Sequence, residues 1–229
     1  MQQSVDVIIP AYLPKSDNLL LLNRALKSLE AQTYQDFHTY IVLNGLYDDE
    51  SVIRKSILYK GNCTVLTLSG KTSGAIARNA GIKASTSPFV AQLDADDQYH
   101  PQKLEKQVSF MGRNEDVGIL GTLAWDYYKD ETTRESCFLP GQYETHAQIS
   151  NALQSENVMC HSSVMFRRSA LNLLGGYVED RKPGSLWPQY GTRMWEDWDM
   201  WLRAIQQGIK LYNLPERLYY WSVGTSVDR

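Results

Sequence analysis

The sequence predicts an α/β domain: a mainly parallel sheet flanked by helices, with a small annex in its second half. Three observations predict it. Short apolar, β-branched runs alternate with stretches whose apolar residues recur at helical spacing, the pattern of strand–helix–strand units joined by right-handed crossovers. The runs stop abruptly at Pro10-Ala11-Tyr12, at Asn44-Gly45 and at Asp94-Ala95-Asp96-Asp97, all loop-forming or charged residues. The chain has 229 residues, 43% hydrophobic and 21% charged, which is enough apolar material to bury one such core.

Residues 5–9, a β-branched run, form the first strand, and Pro10-Ala11-Tyr12 breaks it into a loop. Ser16 or Asp17 caps a helix whose Leu19, Leu22, Leu26 and Leu29 share one face. The second strand, 37–43, stops at the turn pair Asn44-Gly45. Asp48-Asp49-Glu50 then place acids in the first turn of the next helix, where its dipole favours them. A third strand at 64–68, a loop at 70–74 with Lys71, and a helix at 75–84 with Arg78 and Asn79 lead to a fourth strand beginning at Phe89. Ligands of parallel sheets bind beyond the carboxyl ends of the strands, so the three strand-end segments can converge on one site.

In the second half, Pro101 starts a helix that continues over 102–111, and 117–124 is a strand. From 125 to 157 charged and turn residues suggest a loop or flap, with a helix around 145–153. Residues 158–166 read as strand, and a helix at 169–174 ends at Gly175-Gly176. After a loop at 182–191, residues 194–203 begin a helix with acids in its first turn and a stripe of Trp198, Trp201, Leu202 and Ile205. Residues 210–214 and 218–221 close the chain as short edge strands.

The chemistry concentrates where strand four ends. Asp94, Asp96 and Asp97 are three carboxylates within four positions. At the end of a buried strand they repel one another unless a cation neutralises them. Hard divalent ions such as Mn²⁺ or Mg²⁺ take oxygen ligands and keep positions open for phosphate oxygens. A solvent-facing acidic turn is the other reading of the same residues.

A net charge of −3 offers no nucleic-acid footprint and no polybasic membrane patch. Cys63, Cys137 and Cys160 have no metal-like spacing and read as reduced thiols of a cytosolic protein. Met1-Gln2-Gln3-Ser4-Val5-Asp6 lacks the charged and apolar regions of a signal peptide, and no apolar run is long enough to span a membrane.

Four segments in order carry a resemblance: Val7-Ile8-Ile9-Pro10-Ala11-Tyr12, Ser73-Gly74-Ala75-Ile76-Ala77-Arg78-Asn79-Ala80-Gly81, Leu93-Asp94-Ala95-Asp96-Asp97 and Trp195-Glu196-Asp197-Trp198. Together the chain resembles the family 2 glycosyltransferases of the GT-A fold over nearly its whole length. The resemblance implies a single domain over 1–229, with residues 1–100 binding the nucleotide sugar and 101–229 the acceptor. It implies transfer from a nucleotide-diphosphate sugar, with a uracil base the family preference, to a hydroxyl with inversion, assisted by Mn²⁺ or Mg²⁺. Asp94 and Asp96, with Asp97 adjacent, match the metal-binding Asp-x-Asp element around Ala95, and which two act most directly stays open. Asp197, beside Glu196, matches the general base. On residue pattern alone, the pair also suits the first turn of a helix.

Pro10, Ala11 and Tyr12 match the loop beside base and ribose, and Arg78 would pair with phosphate or base, with Lys71 a lesser phosphate candidate. Asn44 stands where the family usually carries an Asp, keeping a carbonyl acceptor while adding a donor. His161 resembles part of an acceptor-side strand, although a His there also suits a packed core, and Trp195 is a candidate for the sugar pocket. The expected acceptor is a glycan, a lipid-linked group or another hydroxyl, and a nucleic-acid acceptor is disfavoured by the charge. The expected location is cytoplasmic, with peripheral recruitment to the inner face of a membrane as the route to a membrane-borne acceptor. A nucleotide-sugar-binding homologue without turnover is the rival reading, and the retained Glu196-Asp197 argues against it. A dehydrogenase is excluded because Pro10-Ala11-Tyr12 stands where a Gly-x-Gly-x-x-Gly turn would be.

Overall fold

The computed structural model describes residues 3–136, 143–179 and 195–224. Strands β1 (Val5–Tyr12), β2 (Phe37–Asn44), β3 (Cys63–Thr67) and β4 (Phe89–Gln92) pair in parallel, with β1 between β2 and β4. Helices α1 (Ser16–Glu30), α2 (Glu50–Ser56) and α3 (Gly74–Ala84) connect them. Side chains alternate across β1: Val5, Val7, Ile9 and Ala11 enter one core with Leu19, Leu22, Leu26 and Leu29 of α1, while Ile8 enters the other. Lys15, rather than Ser16 or Asp17, occupies the N-cap of α1, and no side chain caps that end.

Pro10 lies inside β1 instead of ending it. The last pairing with β4 is Ile8 with Gln92, and Leu93 N–H donates to the Ile8 carbonyl at 3.0 Å. Two residues further on, Pro10 faces the side where β4 has turned away, so its missing N–H costs no ladder bond.

The sheet continues as β3-β2-β1-β4-β8-β6-β9-β5, with β7 (Thr133–Glu135) folded back on β6. Here β5 is Gln98–Tyr99, β6 Val117–Tyr127, β8 Met165–Arg167 and β9 Lys210–Ser222. The sheet is parallel through the first half and between β6 and β9, while β8 runs antiparallel to both β4 and β6, and β5 is antiparallel to β9. Helices α4 (Lys103–Arg113), α5 (His146–Ala152), α6 (Arg168–Leu174) and α7 (Glu196–Gln206) cover the rest. The second core packs β8 and β6 against α5, α6 and α7 through Phe166, Ile119, Ile149, Leu171, Trp198 and Trp201.

Three expectations are corrected. The two short edge strands at the end are one strand, β9, which β5 covers at its far end. It survives Pro215 because its register against β6 slips between Leu214 opposite Thr122 and Arg217 opposite Leu123. The strand predicted over 158–166 is reduced to β8, because His161–Ser163 coil into a single 3₁₀ turn. Ser163 Oγ donates to the Cys160 carbonyl at 2.8 Å and accepts from Thr122 N–H at 3.1 Å, giving the backbone an alternative to a ladder. The flap predicted from 125 is instead, over its first part, the extension of β6 to Tyr127 and its hairpin with β7. The loop at 182–191, Trp187, Met194 and Cys137 lie outside the described residues.

Candidate active site

The carboxyl ends of β1, β2 and β4 bring the predicted residues to one edge of the sheet. On the β1–β2 side, Asn44 is buried at the end of β2 and its side-chain carbonyl accepts from Thr72 N–H at 3.4 Å. Gly45 N–H donates to the Gly70 carbonyl at 2.9 Å, so the loop after β3 folds over the end of β2. That loop carries Lys71, whose ammonium stands 5.0 Å from the centre of the Tyr12 ring. Tyr12, Asn44 and Lys71 therefore form one cluster. Ala11 is separate from it, since its side chain is fully buried in the core, and Pro10 is half-buried in the strand.

The acidic turn is held from behind. Asp97 N–H donates to the Asp94 carbonyl at 3.1 Å. The Asp97 carboxylate is buried and both oxygens are occupied: Tyr219 Oη donates to one, and Ser222 N–H to the other at 2.7 Å. Burial, reinforced by Asp96 and Asp94, pushes the Asp97 carboxyl well above its usual range. Arg24, from α1, donates to the Asp96 carbonyl at 2.6 Å and to Ser222 Oγ at 2.8 Å. The side chains of Asp94 and Asp96 stay partly exposed on the outer side of the turn, and Ala95 between them packs on the core.

Arg78, near the start of α3, is the hub. It sits one turn into a helix whose N-cap, Ser73, accepts from Ile76 N–H at 3.3 Å. Nη2 donates to Asp94 Oδ1 at 2.7 Å and Nη1 to Glu196 Oε1, and the guanidinium lies 5.8 Å from the centre of the Tyr177 ring. Burial would lower its pKa, but Asp94 and Glu196 more than offset this and raise it. Asp94 is held below the usual carboxylate range: burial opposes this, and Arg78 followed by His161 outweighs it.

Glu196 and Asp197 open α7, with Trp195 at its N-cap and 62% exposed. Asp197 Oδ1 accepts from Trp198 N–H and Oδ2 from Asn157 Nδ2, both at 2.8 Å. Burial pushes the Asp197 carboxyl up to about 6, against these two donors. His161 Nε2 lies 2.7 Å from the Tyr177 hydroxyl, and its ring packs near Trp201. Burial, then Arg78, presses the imidazole down to about 3, so it is neutral at physiological pH. Asn79, the residue after Arg78, brackets Tyr177 by donating to its carbonyl and accepting from its N–H, each at 2.8 Å.

Arg24, Asn157, Tyr177, Tyr219 and Ser222 also meet at the candidate site, and the sequence assigns none of them a role. A helix arginine, a loop asparagine, a loop tyrosine and a strand tyrosine carry no local signal, and only tertiary contact assigns them. Among the described residues no group of three or more His, Cys, Asp and Glu side chains could hold a metal ion by itself.

Comparison with known proteins agrees with this geometry. EpsE of Bacillus subtilis (strain 168) is 28% identical over 202 residues, covering 86% of this chain and 66% of its own length. The O-antigen biosynthesis glycosyltransferase WbnJ of Escherichia coli is 26% identical over 205 residues, covering 87% of this chain and 73% of its own. Among solved structures, S. aureus TarS 1-349 in complex with UDP-GlcNAc superposes with a TM-score of 0.72 at 16% identity, covering 98% of this chain and 60% of that one. The mannosyltransferase PcManGT from Pyrobaculum calidifontis, in complex with GDP-Man and Mn²⁺, gives 0.67 at 16% identity over 98% of this chain and 58% of that one. At such identities the structural likeness establishes the GT-A architecture, and this chain spans roughly two thirds or less of EpsE and of both solved chains. The profile described as "Glycosyl transferase family 2" matches residues 6–175, from the first strand through the acidic turn to the end of α6, and the chain belongs to that family.

Proposed function

We propose that this chain transfers a sugar with inversion from a nucleotide-diphosphate sugar, a UDP-sugar in the first instance, to an acceptor hydroxyl in polysaccharide or glycoconjugate synthesis. The observation that carries the reading is the Arg78 bridge. One buried guanidinium ties Asp94 of the acidic turn to Glu196, the neighbour of Asp197, so the expected donor side and base share one charge network. The name of WbnJ, and the UDP-GlcNAc and GDP-Man held by TarS and PcManGT, support the substrate class.

Asp94 and Asp96 would hold Mn²⁺ or Mg²⁺. The donor set fits: such ions take one or two carboxylates together with substrate phosphate oxygens, so a larger protein cage is unnecessary. When bound, the ion supplies Lewis-acid stabilisation of the charge on the departing diphosphate. Asp97, committed to Tyr219 and Ser222, fixes the turn instead. Arg78 places a permanent positive charge at the same edge, and Tyr12, Asn44 and Lys71 would cradle the nucleoside and phosphates. The amide of Asn44 can both donate to and accept from a base edge.

Asp197 takes the proton from the acceptor hydroxyl as that oxygen attacks the anomeric carbon. Raised to about 6, its carboxyl is ionised at neutral pH yet more basic than an ordinary aspartate. The neutral His161, Tyr177 and the exposed Trp195 would line the acceptor side.

The test is thermal shift and donor hydrolysis against a panel of nucleotide sugars, with Mn²⁺ and with chelator, on wild type, Asp96→Ala and Asp197→Ala. Metal-dependent stabilisation by one nucleotide class, lost in Asp96→Ala, together with binding but slow turnover in Asp197→Ala, is expected. Stabilisation without any turnover in wild type would favour the nucleotide-sugar-binding homologue, and no stabilisation at all would refute both.

A further inference from the structure

Asp197 is held by two donors of different origin. Trp198 N–H belongs to its own helix and comes with any acid in a first turn. Asn157 belongs to the segment leading into the 3₁₀ turn at His161, 40 positions away, and reaches Asp197 Oδ2 at 2.8 Å. The orientation of its amide is determined by its surroundings. Met159 N–H donates to the Asn157 side chain at 3.3 Å, which makes that atom the oxygen and leaves the NH₂ facing Asp197. The neighbouring contact Trp198 Nε1–H to the Leu153 carbonyl, 2.9 Å, ties the same helix end to the segment after α5. Asn157 is thus locked on one side by backbone and spends its donor on a single carboxylate oxygen.

We infer that Asn157 is a positioning residue for the general base: its amide fixes the rotation of the Asp197 carboxylate without cancelling its charge. This deepens the glycosyltransferase reading and rests on Asp197 being the base. The chemistry favours an amide here over a cation. A lysine or arginine would pair with Asp197 and suppress proton abstraction, whereas an amide donor orients one oxygen and leaves the carboxylate anionic. The other groups bearing on Asp197 are Glu196 on its own helix, Arg78 from α3, the Cys160 thiol and the Tyr177 hydroxyl. None of these has a hydrogen bond to Asp197 among the described contacts, so removing Asn157 removes the one donor supplied from outside the helix.

The decisive experiment is a carboxyl titration by NMR on protein carrying carbon-13-labelled aspartate, with Asp197→Asn used to assign the resonance. It needs neither donor nor acceptor. Loss of the amide in Asn157→Ala is expected to move the Asp197 midpoint upward by about half a pH unit or more, and Asn157→Asp, which adds a like charge, to move it further. In donor hydrolysis the alkaline-side plateau should fall while the donor KM holds, and the acid limb should shift by the same amount as the midpoint. If the midpoints of wild type and Asn157→Ala coincide while Asp197→Asn is inactive, the positioning role is overturned and the base assignment stands. If instead Asp197→Asn hydrolyses donor at the wild-type rate, the base assignment fails on its own, whatever Asn157 does to the titration.

Discussion

Arg78 Nη2 stands 2.7 Å from Asp94 Oδ1 while its other terminal nitrogen donates to Glu196, 118 positions further along the chain. The guanidinium side chain is only 8% exposed, and the two carboxylates are 32% and 29% exposed. One cation therefore neutralises an acid from each half of the molecule. Replacing it with Arg78→Met leaves two carboxylates facing each other without a counter-charge, and the expected loss is roughly 3 kcal/mol in urea unfolding. Arg78→Lys keeps the charge but cannot reach both acids with a planar fork, so its loss should fall between. Wild-type stability in Arg78→Met would mean that the bridge does not hold the halves together.

Asp197 makes stability and activity pull in opposite directions with pH. Its carboxyl is raised from 3.8 to about 6 in the fold, so between those values the folded chain binds more protons than the unfolded one. Stability due to this group is fully present below pH 4 and is lost as pH rises through 6, on the order of 3 kcal/mol. With Asp197 in the proposed role of base, turnover should rise over the same interval, because only the ionised form can take the proton. Asp197→Asn should lose both the decline in stability and the rise in rate, as read by unfolding and donor hydrolysis across pH 4 to 8. Buried His161, pressed down to about 3, adds stability as pH rises over the same range in both proteins, so the reading is the difference between them: equal pH slopes in wild type and Asp197→Asn would contradict the raised carboxyl.

Asp96 and Asp97 are adjacent but have different work. The Asp97 oxygens are occupied by Tyr219 and Ser222 from β9, so its removal should be felt first in the fold. Tyr219→Phe removes one donor to a buried carboxyl and should cost about 1–3 kcal/mol in unfolding. Asp96→Ala should change unfolding little but abolish the Mn²⁺-dependent part of nucleotide-sugar binding, measured by calorimetry with and without chelator. If Tyr219→Phe were as stable as wild type and Asp96→Ala were the variant that unfolds, the two roles would be exchanged.

The fold shows where the sequence suffices. The strand–helix alternation of the first half and the helix starts at Ser73 and Trp195 are local patterns, written in apolar spacing and caps, and they are found within a residue or two. Pro215 reads locally as a strand end between 210–214 and 218–221, and only the long pairing with β6 carries β9 through the slip in register. The turn at His161–Ser163 was hidden because Val158 and Met159 before it, and Val164 to Phe166 after it, look like strand while Ser162 and Ser163 divert the backbone. The partners of the acidic turn, Arg24 and Ser222, lie 72 and 126 positions from Asp96 and share no pattern with it.

Gly45 tests whether the Tyr12 cluster serves the nucleotide. It sits at φ +56°, and a Cβ there would lie 2.2 Å from Tyr12 Cε2, so an alanine meets both an unfavourable backbone region and the edge of the ring. The ring cannot retreat freely, since Lys71 stands 5.0 Å from its centre on a loop pinned to Gly45 by the Gly70 carbonyl. Gly45→Ala should therefore cost about 1–2 kcal/mol in unfolding and displace Tyr12 and Lys71 together. A nucleoside diphosphate titrated into Gly45→Ala should bind about tenfold more weakly, close to the loss in Tyr12→Ala. Because the substitution adds one methyl group and removes no ligand-binding atom, equal losses in the two variants would locate the effect in the ring's position. Unchanged affinity in Gly45→Ala, with the stability loss present, would instead assign Tyr12 to packing.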